Sequence, residues 1–465
     1  MTAVAIAAAV LPRLGLGWGM DSDAWRVAQT SARLWHGSGY QPSRLPGNPA
    51  FELMTAPAAG LACPLAANML VFAFFLAAVW VFHRIAGPTR AGARWSTLFA
   101  LTPALLLNAA TTMDYIPALA CLLLACLLAY SGRAVAAGFV LGIAGGFRIS
   151  HLLFSLPLLY YNHGRGISPW RNLAAFAAAS FTGLLFYLPV FSSRGMDALL
   201  IGSKFLSGRE YLLITGYNAL ALLGPLSAVT IIVIAALGLR NFGMLMRSTG
   251  RESGLRARLE LASVCLFTGL FVLHPDESAY LLPVVPFLYL LLARFIGTRA
   301  LTVLALLIVS HGVITLELKG GTSGRRTLAP HLTYGVLADD WRQRVELNRL
   351  RDSLPSLPVT EPALVLTGMG PQLSFGNPHL AHAGKTAMFP LSDESVPRFF
   401  RLPDREVYVA GHLAPGEAEI LRHDGFSLYY FSTRAPSAAM RLHGYHPAEL
   451  GMARIATDRD HAFWK

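Results

Sequence analysis

The chain has 465 residues, 54% of them hydrophobic and 14% charged, with a net charge of +12 and a mean hydropathy of +0.48. That balance excludes a disordered chain, a collagen-like repeat and a disulfide scaffold, and predicts a polytopic α-helical membrane protein. Nucleic acid is excluded as a partner, because most of the cations are arginines in short loops between apolar runs, where they set membrane orientation.

A span needs about 20 mostly apolar residues, and roughly ten or eleven transmembrane helices are predicted, all before Lys319. Ala3–Leu11, interrupted by Pro12 and Arg13 and resumed at Leu14–Trp18, reads as the first span. It lacks the basic start of a secretory signal. The clearest segments are Leu61–Phe82, Trp95–Thr111, Ile116–Tyr130, Leu173–Phe191, Leu220–Leu239, Leu261–Leu273, Ala279–Ala293 and Ala300–Leu316. Ala134–Phe147 and His151–Tyr161 are short for spans and read as a tilted or re-entrant pair. Cys63, Cys121, Cys126 and Cys265 all lie in apolar stretches without paired spacing and read as small core residues.

One assignment of sides places Arg84, Arg90, Arg94, Arg133, Arg165, Arg171, Arg240, Arg247, Arg251, Arg256, Arg258, Arg294 and Arg299 together, which makes that side the cytoplasm. The N-terminus is then cytoplasmic. The outer side receives Met20–Phe51, Met113–Tyr115, Ser192–Gly216, His274–Ser278 and everything after Lys319. The predicted domains are a membrane domain over 1–318 and a small extracytoplasmic α/β domain over 319–465, where charge becomes dense and Pro and Gly frequent. Within the latter, Trp341–Leu350 reads as an amphipathic helix, and Ala363–Thr367, Glu406–Ala410 and Leu428–Phe431 as buried strands. A helix opened by Pro415-Gly416-Glu417 between the last two suggests a small β-α-β unit. Gly368-Met369-Gly370 lacks the third glycine of a dinucleotide loop and reads as a turn.

Charged groups beside hydrocarbon are costly, so carboxylates at the rim of a span are functional candidates. Asp21, Asp23, Asp114, Asp276 and Glu277 all collect on the outer face, the last two in His274-Pro275-Asp276-Glu277-Ser278. Any one of them alone would read as a solvated loop carboxylate. Arg148, in Gly145-Gly146-Phe147-Arg148-Ile149-Ser150, reads either as a bidentate grip on a phosphate or as a rim arginine with its head in water. The turn-rich loop Gly37–Pro49 contains Arg44 and suits a binding loop, while Trp25, Trp35 and Tyr40 read equally as interfacial aromatics.

Met20-Asp21-Ser22-Asp23-Ala24-Trp25, followed by Gly39-Tyr40 and Arg44-Leu45-Pro46-Gly47-Asn48-Pro49, resembles the first outer loop of the GT-C superfamily of glycosyltransferases. That superfamily includes protein O-mannosyltransferases, lipid A aminoarabinose transferases and the mannosyltransferases of lipid anchors. Thr112-Met113-Asp114-Tyr115 resembles its second acidic loop, and Gly138 through Arg148 its glycine-rich segment ending in a cation. His274 through Pro286 resembles the outer-loop motif in which a charged cluster precedes an aromatic and two spaced prolines. The resemblance implies an inverting transfer of a mannose-like hexose or a pentose from a polyprenyl-phosphate donor to a lipid, glycan or protein hydroxyl, outside a bacterial plasma membrane.

In that reading Asp21, with Asp23 close behind, is the expected base, and Arg148 and Arg44 hold the departing phosphate. Asp114 and Glu277 orient sugar hydroxyls or position a cation, and His274 and Asp276 complete the substrate-binding loop. No metal ligand set is assigned. A divalent cation at Asp21-Ser22-Asp23 stays open, because two carboxylates supply too few ligands to define such a site. His379/His382 and His443/His446 read as surface histidines of the tail. The competing readings are a lipid-linked sugar transporter or flippase, and an O-antigen ligase or polymerase-like protein leaning on outer-face arginines and a histidine. Absence of a half-to-half repeat argues against the transporter.

Overall fold

The computed structural model describes residues 2–195, 208–234, 251–320 and 328–356, and, beyond these, 359, 361–366, 370–377, 380–382, 399–410, 420–421, 423–431, 447–448 and 452–454. They are mostly helical and divide into two compact units: 1–18 with 27–341, and 19–26 with 342–465. The predicted helix at Pro415-Gly416-Glu417, the Gly368-Met369 turn, His379, His443, His446 and the end of Leu220–Leu239 lie outside the described residues.

The first unit contains α1 (Thr2–Leu14), α2 (Ser22–Trp35) from Val27 onward, α3 (Pro49–Gly60) and α4 (Pro64–Ala86). Of these α4 is long and apolar enough to cross a bilayer. Pro64 suits its first turn, where a missing N–H costs nothing. Arg13 of α1 is buried: it donates to the Ala9 and Leu106 carbonyls at 2.7 and 2.8 Å and pairs with Asp340 at 3.3 Å.

The run Trp95–Thr111 is two helices, α5 (Arg90–Ala100) and α6 (Pro103–Asn108). Pro103 cannot continue the ladder of α5, and the Thr102 hydroxyl turns instead to the Leu98 carbonyl and the Tyr289 hydroxyl, each at 2.9 Å. Next come α7 (Tyr115–Tyr130), α8 (Ala134–Phe147), a 3-10 turn over Ile149–Phe154, α9 (Ser155–Gly164) and α10 (Pro169–Arg194). Over Pro169–Ser193, α10 is the second helix fit to cross a bilayer. Ser168 caps it by accepting from the Arg171 amide.

Small residues let α8 lie directly on α10. A Cβ on Gly138 would stand 2.0 Å from the Ala175 carbonyl oxygen, and one on Gly142 2.5 Å from Thr182 Cβ. The outward sides of α4 and α10 carry Leu76, Trp80, Phe181 and Leu185 in exposed positions, as suits helices facing hydrocarbon.

Beyond residue 207, α11 (Gly208–Leu223) and α12 (Pro225–Ile234) meet at an 89° bend and pass together as a broken span or a re-entrant loop. Among the described residues two helices, or three elements with this pair, are thus long and apolar enough to cross. The sequence predicts roughly ten or eleven, several of its apolar runs being divided into shorter helices. The bend sits at Gly224, whose φ of +86° a side chain would strain. Then follow α13 (Arg251–Leu273), a 3-10 turn over Ser278–Leu281, α14 (Val284–Leu292) and α15 (Thr298–His311). The predicted span Ala300–Leu316 ends early. After His311 the chain extends as β1 (Ile314–Gly320), paired antiparallel with β2 (Leu328–Tyr334), and α16 (Val336–Ser353) follows. Cys126 is buried, whereas Cys265, expected in the core, is exposed on α13, a position an apolar solvent tolerates.

The second unit is built on a seven-stranded sheet of β3 (Ala363–Leu366), β4 (Ala381–His382), β5 (Phe399–Arg401), β6 (Val407–Ala410), β7 (Ser427–Phe431), β8 (Pro447–Ala448) and β9 (Met452–Arg454). Its order is β4-β5-β6-β3-β7-β9-β8. The three predicted strands form its centre, β6 and β7 each pairing parallel with β3 and the rest antiparallel. Hence β6 and β7 are not neighbours, and the chain between them crosses over β3. The continuous apolar run of β3, every residue buried, is the pattern of a central strand covered on both faces.

Candidate functional site

The loop between α2 and α3 delivers Arg44. Its shape is held by Glu52 of α3, which is wholly buried and accepts from the Tyr40 hydroxyl at 2.5 Å, the Ser43 hydroxyl at 2.5 Å and the Ser43 amide at 2.9 Å. Gly47 adopts φ +97° with Pro42, Tyr40 and Val190 atoms 3.2 Å from where a Cβ would stand, and its carbonyl accepts from the Tyr187 hydroxyl at 3.1 Å. Burial holds the Glu52 carboxyl above its usual range; the Ser43 and Tyr40 donors pull the other way without overcoming it.

Asp114 stands just before α7 but makes no side-chain cap bond. Its carboxylate faces two guanidiniums instead, Arg44 at 2.9 Å and Arg148 at 2.8 Å. Asp114 has no solvent exposure and each arginine side chain has 15%. Arg148 reaches this position because it ends α8 in extended backbone, at φ −146°. Glu277, before the Ser278–Leu281 turn, sits 3.5 Å from Arg44 and accepts a short hydrogen bond from the Tyr115 hydroxyl. Arg148 lies over the Tyr115 and Tyr280 rings, 4.3 and 4.8 Å from their centroids. With its carbonyl turned toward Arg44, the Asn48 amide accepts from Arg44 Nε at 3.2 Å and donates to the Phe147 carbonyl at 3.0 Å.

Of these groups, Arg44, Asn48, Tyr115, Arg148 and Tyr280 border a cavity of about 160 Å³. Arg44, Asn48, Tyr115, Arg148, Ser150 and His151 supply polar walls, with His274, Asp276 and Tyr280. Phe267, Leu270, Phe271, Leu282 and Pro283 supply an apolar one. Six of the eight residues singled out in the sequence, Arg44, Asp114, Arg148, His274, Asp276 and Glu277, thus touch one another or this cavity.

Asp21 and Asp23 belong to the second unit. Asp21 accepts from the Asp23 amide at 2.9 Å, an N-cap to α2, and Asp23 pairs with Arg26 at 3.1 Å. Trp25 is buried beside them, donating to the Gly19 carbonyl at 2.7 Å, with Arg351 4.9 Å from its ring. Among the described residues no group of three His, Cys, Asp or Glu side chains is disposed to hold a metal ion.

Sequence reasoning missed Glu52, Asn48, His151 and the tyrosines 115 and 280 as site residues. The tyrosines stand inside the quoted motifs, and Glu52 is a lone acid on an apolar helix.

No family model matches the chain, and no curated protein matches it. It is similar to two solved structures of ArnT from Cupriavidus metallidurans. One is bound to undecaprenyl phosphate, with a TM-score of 0.47 at 15% identity, and the other is in the apo state, with 0.46 at 16%. Each alignment covers 65% of this chain and 61% of the other, so the chain spans less than two thirds of that protein's length.

Proposed function

We propose that the chain is a membrane glycosyltransferase that moves a sugar from a polyprenyl-phosphate donor to an acceptor hydroxyl on the extracytoplasmic face of a bacterial plasma membrane. The observation that carries this reading is a cavity lined by two guanidiniums together with the apolar side chains of Phe267, Leu270, Phe271 and Leu282, a pairing that suits an anionic amphiphile. Asp114 occupies one nitrogen of each arginine and fixes both before a ligand arrives. A guanidinium carries five donors, which leaves Arg148 able to meet a phosphate as well. Charge developing on the departing phosphate is stabilised by groups already in position.

In this reading Asp21 or Asp23 takes the proton of the acceptor hydroxyl, and Glu277, His274 and Asp276 line the substrate loop. Residues 1–318 form the catalytic membrane domain and 319–465 the outer α/β domain. The donor sugar is a hexose or pentose, and a lipid, glycan or protein hydroxyl accepts it.

Transfer of radiolabelled sugar from polyprenyl-phosphate donors is measured in membranes carrying wild type, Arg148→Gln, Asp21→Asn or Asp23→Asn at equal expression. Transfer that collapses in Arg148→Gln and in one Asn variant supports the reading, and wild type that transfers from no donor refutes it. A ligase-like mechanism is favoured by one observation: two arginines and two histidines line the cavity while Asp21 and Asp23 are engaged at the start of α2. Transfer retained in both Asn variants selects it.

A further inference from the structure

His151 lies in the 3-10 turn after α8, and its amide donates to the Arg148 carbonyl at 2.9 Å. The side chain borders the cavity and is 2% exposed, and among the described residues neither ring nitrogen has a hydrogen-bond partner. Phe267 packs against the ring, 5.4 Å between centroids. A buried polar group left unsatisfied is destabilising, a cost that a bound partner removes.

The chemistry of that partner follows from the ring's surroundings. An imidazole among apolar side chains and next to Arg148 gains nothing from a positive charge, so it stays neutral, with one nitrogen donating and the other accepting. A phosphate oxygen satisfies only the donor. A hydroxyl both gives and takes a hydrogen bond, and neighbouring sugar hydroxyls satisfy both nitrogens.

We propose that His151 is a specificity-determining residue that binds hydroxyls of the sugar carried by the phosphate at Arg148. The proposal rests on the donor reading above and adds a division of labour: the arginines take the phosphate and the histidine takes the sugar.

Binding of undecaprenyl phosphate and of a panel of hexosyl and pentosyl undecaprenyl phosphates is measured on purified full-length wild type, His151→Phe and His151→Gln. His151→Phe is expected to bind undecaprenyl phosphate within about twofold of wild type and the glycosylated donor about tenfold or more weakly, as for a lost hydrogen bond. His151→Gln, which keeps a donor and an acceptor, is expected to recover most of that loss. Equal donor binding by His151→Phe and wild type, or equal loss of both ligands, overturns the proposal. Wild type that binds neither lipid overturns the function and this inference together, whereas the first two outcomes leave the function standing.

Discussion

Asp114 and Arg148 meet at 2.8 Å with the carboxylate closed off from solvent, and the same carboxylate holds Arg44 at 2.9 Å. Removing its charge takes the buried carboxylate away from both mostly buried guanidiniums, with Glu277 still 3.5 Å from Arg44. Asp114→Asn is therefore expected to lower stability by about 3–5 kcal/mol, with Asp114→Asn/Arg148→Gln recovering part of it. Thermal unfolding in detergent checks this. A variant as stable as wild type would remove Asp114 from its place as the organiser of the pair.

Glu52 gives a pH dependence with a definite sign. Its folded-state pKa lies above the ordinary 4.5 because burial penalises the anion. The folded state therefore binds the proton more tightly than the unfolded one, and stability falls as pH rises from about 4.5 through the raised value. Glu52→Gln should flatten that slope above pH 4.5. Melting curves that keep the wild-type slope in the variant argue against it.

The α8–α10 contact predicts opposite effects for two glycine-to-alanine changes. Gly142→Ala drives a methyl to 2.5 Å from Thr182 Cβ and 2.7 Å from the Ala179 carbonyl, so the helices must part, at about 1–3 kcal/mol. Gly269→Ala, on α13 with nothing within 4 Å among the described residues, should be neutral or stabilise by about 0.5–1 kcal/mol. Paired melting temperatures decide it.

Arg294 grips Glu260 through Nε at 3.0 Å and a terminal nitrogen at 2.8 Å, while its other terminal nitrogen reaches Ser253 at 3.1 Å. A lysine ammonium cannot reproduce that fork. Arg294→Lys should cost about 1–3 kcal/mol, and a double-mutant cycle with Glu260→Gln should show strong coupling.

The membrane class was legible from apolar content alone, and the three central strands of the sheet from short runs such as Ala363–Leu366. The site was legible as chemistry: charge next to hydrocarbon is expensive, which marks Asp114, Arg148 and Glu277 in one chain without an alignment. Their partners were less so. That Asp114 pairs with Arg44, some 70 residues away, depends on how α3, α7 and α8 pack, and spacing along the chain carries no such information. Hydropathy averages over windows, so the break at Pro103 disappeared into one apolar run, and the strand after His311 was counted as the end of a helix. Glu52 and His151 gave weak signals for the same reason: each is a single polar residue whose meaning lies in what surrounds it.

The buried bond between Arg13 and Asp340 links positions 327 residues apart. At 5–20 residues per second the ribosome needs roughly 15–65 s to travel between them. For that interval α1 is already made while Asp340 is not, so this contact waits for the far end of the unit, whereas the Arg13 bonds to the Ala9 and Leu106 carbonyls can form long before it.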